Sequence, residues 1–98
     1  MPFQNPPSLF TRENVMALKP GQKGIYGLYR SDPSGPTWSY IGQGDISTRL
    51  IGHLKGDNLC ILNEGPTHFV TEVIMGDPSE REKELIQELN PICNSQIG

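Results

Sequence analysis

Cysteine is scarce in this chain: Cys60 and Cys93 are the two among 98 residues. They lie far apart and have no metal-ligand spacing, which argues against a zinc module and against a disulfide-dense secreted scaffold. Two reduced cysteines acting as small core residues are therefore expected. Apolar residues are also few, at 35% of the chain, against about 45–50% in an average globular domain. That implies a modest core under a large polar surface. No apolar run approaches the ~20 residues that span a bilayer, so no membrane partner is expected. Met1 to Ser8 is rich in turn formers and has no basic apolar leader, so no signal peptide and a cytoplasmic location are expected. Basic charge is short as well. Lys and Arg total 8 against 11 Asp and Glu, a net charge of -3. Such a balance counts against tight autonomous binding of nucleic acid, where a basic surface normally supplies most of the affinity.

The charge that is present is unevenly placed. Glu80, Glu82, Glu84 and Glu88 fall in one late segment, whereas Lys19, Lys23, Arg30, Arg49 and Lys55 stand against Asp32 and Asp45 in the middle. A positive groove beside an acidic outer helix is compatible with this pattern. The chain is long enough for one domain. Residues 1–22 read as an N-terminal extension with a short helix, capped by Thr11 and ended by Pro20-Gly21. Residues 23–98 read as the domain proper. β-prone runs at about 24–30 and 37–42 flank Ser31 to Pro36, a segment with turn composition, so a hairpin is expected. Gly42-Gln43-Gly44 is expected to break the second strand. Asp45 then caps a helix of about 46–55, stopped by Gly56. Leu59 to Leu62 suits a short helical turn, and 67–75 a third strand. The last helix starts at Asp77-Pro78, with Glu80 placed for a capping box, and ends before Pro91. The fold class is α/β (α+β): a small three-stranded antiparallel sheet flanked by helices.

Within the last helix, at about 100° per residue, Leu85, Ile86 and Leu89 form one apolar stripe and Glu82 lies at its centre. A carboxylate on that stripe is costly unless it is paired or binds a metal. The bland alternative is an acid at the helix start that complements the dipole. Arg49 and His53 are four apart and share a helix face. Alone they also suit a solvated Arg and a surface His. Tyr26 and Tyr40 sit in the tripeptides Gly24-Ile25-Tyr26 and Tyr40-Ile41-Gly42 on the two hairpin strands. Either one also suits a strand aromatic with its hydroxyl at the rim.

Taken in order, Gly24-Ile25-Tyr26, Tyr40-Ile41-Gly42, Arg49-x-x-x-His53, Glu82 and Pro91-x-x-Asn94 resemble the GIY-YIG nuclease family, over about 23–94. The resemblance implies a GIY-YIG-like fold and a metal-dependent endonuclease that hydrolyses phosphodiester bonds of nucleic acid, DNA more than RNA. It implies Tyr26 as general base towards the attacking water, Tyr40 as an orienting group, and Arg49 as the phosphate clamp. It implies His53 as a phosphate or proton partner, Asn94 as a buttress, and Glu82 as the Mg2+ ligand, with Mn2+ a possible substitute. A guanidinium suits the phosphate through bidentate geometry. A single carboxylate suits Mg2+, which keeps most of its water shell. A capping or turn role is the other reading of Asn94.

The chain departs from the family pattern in two places. Gln43 stands where many members carry Lys, so little pulls the Tyr26 phenol down and an alkaline optimum is expected. The loop from Gly42 to Arg49 is one residue shorter than is typical. Little lies outside the nuclease-like core, so a homodimer or a DNA-targeting partner is expected. The alternative function is a non-catalytic or partner-delivered nucleic-acid-processing module. His68 reads as a surface residue.

Overall fold

Strand β2, Lys23–Asp32, has no polar residue other than tyrosine from Gly24 to Tyr29, and that whole stretch is buried. A strand buried on both faces reads as a continuous apolar run rather than an alternating one. The computed structural model, which describes Phe3 and residues 5–96, shows the reason: β2 lies inside a four-stranded antiparallel sheet, and helices cover both faces. The elements run β1 (Ser8–Leu9), α1 (Arg12–Met16), β2, β3 (Gly35–Asp45), α2 (Ile46–Leu54), α3 (Leu59–Glu64), β4 (His68–Val73), α4 (Ser79–Leu89) and a terminal 3-10 turn (Ile92–Gln96). The sheet order is β1-β4-β2-β3. The class is mixed α+β, as expected, with one strand more than expected. The added strand is β1, two residues long, which pairs Ser8 with Phe69 and Leu9 with His68.

Successive β2 side chains divide between two cores, as a period of two demands. Tyr26 and Leu28 join Val15, Ile46, Leu50, Ile61, Phe69 and Cys93 on the first face. Ile25 and Tyr29 join Phe3, Trp38, Ile41, Val70 and Leu85 on the second. The helices α1, α2 and α3 close the first face, and α4 closes the second. Each fully buried Leu or Ile contributes about 1.5–3 kcal/mol.

The helix starts follow local chemistry. Thr11 accepts from the Asn14 amide, Asp45 from Thr48, and Asn58 from Ile61. The capping box expected at α4 does not form. The helix begins at Ser79, and Asp77 Oδ1 accepts from both the Ser79 amide and its hydroxyl, at 3.0 and 2.7 Å. Gly42-Gln43-Gly44 does not break β3, which continues to Asp45, because the pairing with β2 runs on to Lys23.

The cysteines correct a further expectation. Cys60 on α3 and Cys93 in the terminal turn form a disulfide, with a Cα–Cα distance of 5.7 Å. Both segments pack on the first core, which brings together residues that no sequence spacing connects. Among the described residues, no helix is long and apolar enough to cross a membrane.

Candidate active site

A β-bulge decides where Tyr40 goes. Along β2 and β3, Leu28 pairs with Tyr40 but Tyr29 pairs with Trp38, so Ser39 is the extra residue. Directly paired residues share a sheet face. Without the bulge, Trp38 and Tyr40, two apart, would share one face. With it, Trp38 faces the second core with Tyr29, and Tyr40 turns to the face of Leu28 and Tyr26. Bulges commonly re-aim a side chain in this way. The Ser39 hydroxyl is buried and has no hydrogen-bond partner among the described residues.

Tyr26 lies opposite Gly42 on β3. A Cβ built at Gly42 would overlap the Tyr26 hydroxyl and would stand 2.8 Å from the Tyr40 ring. The glycine thus leaves room for the Tyr26 ring. Gly24 has a comparable reason, since a Cβ there would overlap the Glu72 carbonyl oxygen of the adjacent strand. Gly42→Ala should lower the unfolding free energy by about 1–3 kcal/mol, the usual range for overpacking. A denaturant midpoint equal to that of the native chain would show that the rings shift freely.

Helix α2 brings His53 against these tyrosines. The Tyr26 hydroxyl and His53 Nε2 are 2.8 Å apart, and His53 Nδ1 is 2.8 Å from Asp57 Oδ1. A carboxylate only accepts hydrogen bonds, so in a neutral ring the hydrogen sits on Nδ1 and Nε2 accepts from the Tyr26 hydroxyl. The ring centroids lie 5.5 Å (Tyr26–His53), 5.4 Å (Tyr40–His53) and 6.2 Å (Tyr26–Tyr40) apart. Tyr26 is 2% exposed and His53 8%. Burial, then the neighbouring Tyr40, push the Tyr26 phenol well above its ordinary range, and Arg49 only partly offsets this. Burial raises Tyr40 too, followed by the Glu82 charge.

Arg49, one turn before His53, is exposed. It has no hydrogen bond or ion pair among the described residues. It lies along Gly44, whose φ of 130° suits glycine. Glu82 reaches the same region from α4. Gln43 Nε2 donates to Glu82 Oε1 at 3.0 Å. Burial raises the Glu82 carboxyl above its usual range, and the Gln43 bond lowers it. The α4 rotation that aims Glu82 at Gln43 is fixed one residue earlier. Arg81 donates to the buried Glu72 carboxylate of β4 through Nε at 2.9 Å. Among the described residues no group of three or more His, Cys, Asp or Glu converges as a metal cage.

Asn94 does not face the tyrosines directly. Its Oδ1 accepts from the Ile41 amide and its Nδ2 donates to the Ile41 carbonyl, each at 2.8 Å. This amide satisfies edge-strand backbone between Tyr40 and Gly42, and the adjacent Cys93 ties it to α3. His68 is stacked on Tyr29 at 5.1 Å, on the second face of the sheet.

Tyr26, Tyr40, His53 and Arg49 are thus gathered beside β3. Glu82 is close enough for its charge to act on both phenols. Sequence reasoning missed Asp57, the bulge at Ser39 and the Gln43–Glu82 bond. The signal for Asp57 was its spacing of four from His53; the bulge left none. A cavity of about 450 Å3, lined by 21–23 and 73–76, contains none of these side chains. No family model, curated protein or solved structure matches the chain.

Proposed function

We propose that this chain is a metal-dependent endonuclease of the GIY-YIG type, hydrolysing phosphodiester bonds of DNA. The observation that carries this reading is an exposed guanidinium, Arg49, with no ion pair among the described residues, beside a buried Tyr26–His53 hydrogen bond. A cation with no protein partner suits a phosphate, and a tyrosine bonded to an imidazole acceptor suits removal of a proton from water.

Glu82 fits a metal ion of the Mg2+ type. Its half-buried carboxylate has a neutral amide as hydrogen-bond partner, and burial disfavours its charge, which a cation would compensate. Mg2+ commonly takes one carboxylate together with waters and phosphate oxygens, so a single acid is a sufficient donor set. When bound, the ion supplies charge for the developing phosphoryl oxygens. The chain's own residues do the rest. Arg49 holds the phosphate and stabilises its charge as water attacks. Tyr26 takes the proton of that water as its own proton passes to His53 Nε2. Tyr40 orients the water or the phosphate, and Asn94 holds the β3 segment that carries Tyr40.

Purified protein with Mg2+ or Mn2+ should nick or cut plasmid, branched or single-stranded DNA. Arg49→Lys should lose about 10²-fold, the scale of one lost transition-state donor, although the charge is kept. A near-native rate for the Lys variant would leave Arg49 as general electrostatics. Absence of cutting on every substrate, with the Glu82→Ala control behaving identically, would end the enzyme reading.

The net charge of -3 favours a second reading: a module delivered to nucleic acid by a partner, or a homodimer that builds a larger groove. A dimer with steeply salt-dependent DNA binding supports a stand-alone enzyme; no binding at low salt supports a partner. The Cys60–Cys93 bond favours an oxidising compartment over the cytoplasm expected from the sequence, and thiol alkylation of protein taken directly from cells decides between them.

A further inference from the structure

We infer that Asp57 is a positioning residue of this site: it holds His53 in the Nδ1–H tautomer, so that Nε2 is the acceptor for the Tyr26 proton. The inference rests on the nuclease reading for its consequence in rate, but the arrangement itself is observed in the fold. Asp57 follows α2 in a turn that doubles back on that helix. Gly56 takes a φ of 84°, and the Asp57 amide donates to the Gly52 carbonyl at 3.2 Å. A Cβ built at Gly52 would stand 2.7 Å from Asp57 Oδ2, so the carboxylate lies against the helix where that residue has no side chain. Asn58 then caps α3. Asp57 thus sits between the end of α2 and the start of α3; its carboxylate is 52% exposed, with Oδ1 at 2.8 Å from His53 Nδ1.

The chemistry follows from which nitrogen carries hydrogen. With Nδ1–H bound to Asp57, Nε2 has a free lone pair directed at the Tyr26 hydroxyl 2.8 Å away. With the other tautomer, Nε2–H would donate to the Tyr26 oxygen, and no acceptor would remain for the phenol proton. In the attack step, water gives a proton to the Tyr26 oxygen. The Tyr26 proton moves to Nε2, and the resulting imidazolium is stabilised by the Asp57 carboxylate on its far side. As the bond from water to phosphorus forms, the bond from phosphorus to the leaving sugar oxygen breaks; that oxygen takes a proton from solvent, and the imidazolium then releases its proton to solvent, so the three side chains return to their starting state. Orienting carboxylates of this kind are commonly worth about 10–100-fold when removed.

The alternative is a purely structural i,i+4 pair at the end of α2, which stabilises the helix without setting a tautomer. Nitrogen-15 NMR on histidine-labelled protein above neutral pH separates the two. The chain has two histidines, His53 and His68, so a His68→Gln sample assigns the spectrum. The expected result is His53 as the Nδ1–H tautomer in the native chain. In Asp57→Ala that preference should be lost. In cleavage assays Asp57→Ala should lose about 10–100-fold in kcat with KM nearly unchanged. A native His53 in the Nε2–H form overturns the inference, as does a tautomer that does not change in Asp57→Ala. Should the native chain cut no DNA while the tautomer responds as expected, the nuclease reading fails and the positioning role stands.

Discussion

Tyr26→Phe should reduce cleavage by about 10²–10⁴-fold, the usual worth of general acid–base help, while the sheet survives. The change deletes one oxygen from a ring that packs among Leu28, Leu50 and Phe69. It also leaves His53 Nε2 without its donor in a setting only 8% exposed. An unsatisfied buried acceptor costs about 1–3 kcal/mol, so a modest drop in melting temperature should accompany the loss of rate. The pH profile adds a second reading. Burial keeps the native phenol neutral well beyond its usual range, so Tyr26 does not wait as a phenolate, and its proton leaves to His53 during attack. The rate should therefore not keep climbing with pH through the ordinary phenol range. A rise that continues through and beyond the ordinary phenol range, near pH 10, would mean that free phenolate is the base and that His53 is not in the path. Stability has its own signature. A phenol raised in the folded state binds its proton where the unfolded chain has lost it. The contribution is therefore complete below about pH 10 and declines as pH climbs above that value. Tyr26→Phe should flatten that alkaline decline.

The hairpin and the helices were legible because local chemistry fixes them. Turn residues separate the tyrosine strands, and Thr11 and Asp45 cap their helices. Other features depend on partners distant in sequence. Ser8–Leu9 becomes a strand only because β4 offers an edge, and two exposed residues carry no alternation to detect. Gly42 and Gly44 look like breakers in isolation. In the sheet, β2 continues alongside them, and the Tyr26 ring occupies the space that a side chain at 42 would need. Gln43 read as a missing cation because only its own position was visible. Glu82, 39 residues later, is what gives it a role. The same holds for Cys60 and Cys93, whose pairing follows from two segments sharing one core. Glu82 itself was legible, since helical periodicity marks a carboxylate on an apolar stripe whatever it faces.

That carboxylate sets the other large effect. Glu82→Ala should abolish cleavage and leave the melting temperature equal to or above that of the native chain. Desolvation is the main influence on Glu82, and the Gln43 bond is the smaller, opposing one. The folded state therefore binds the Glu82 proton more tightly than the unfolded chain does. Stability linked to it is complete below the ordinary carboxylate range and is lost as pH rises through the raised value. At neutral pH an ionised Glu82 thus costs the fold something, which the variant recovers. The Gln43 amide it leaves behind is only part-buried and can turn to water. The Arg81–Glu72 pair next to it still sets the rotation of α4. A site retained at a cost to stability is what a ligand-binding carboxylate should look like, because binding energy is then gained in the bound state alone. Mg2+ should raise the melting temperature of the native chain and have no effect on the variant. A large fall in melting temperature for Glu82→Ala would make Glu82 a structural partner of Gln43. An equal Mg2+ response in both proteins would place the metal elsewhere.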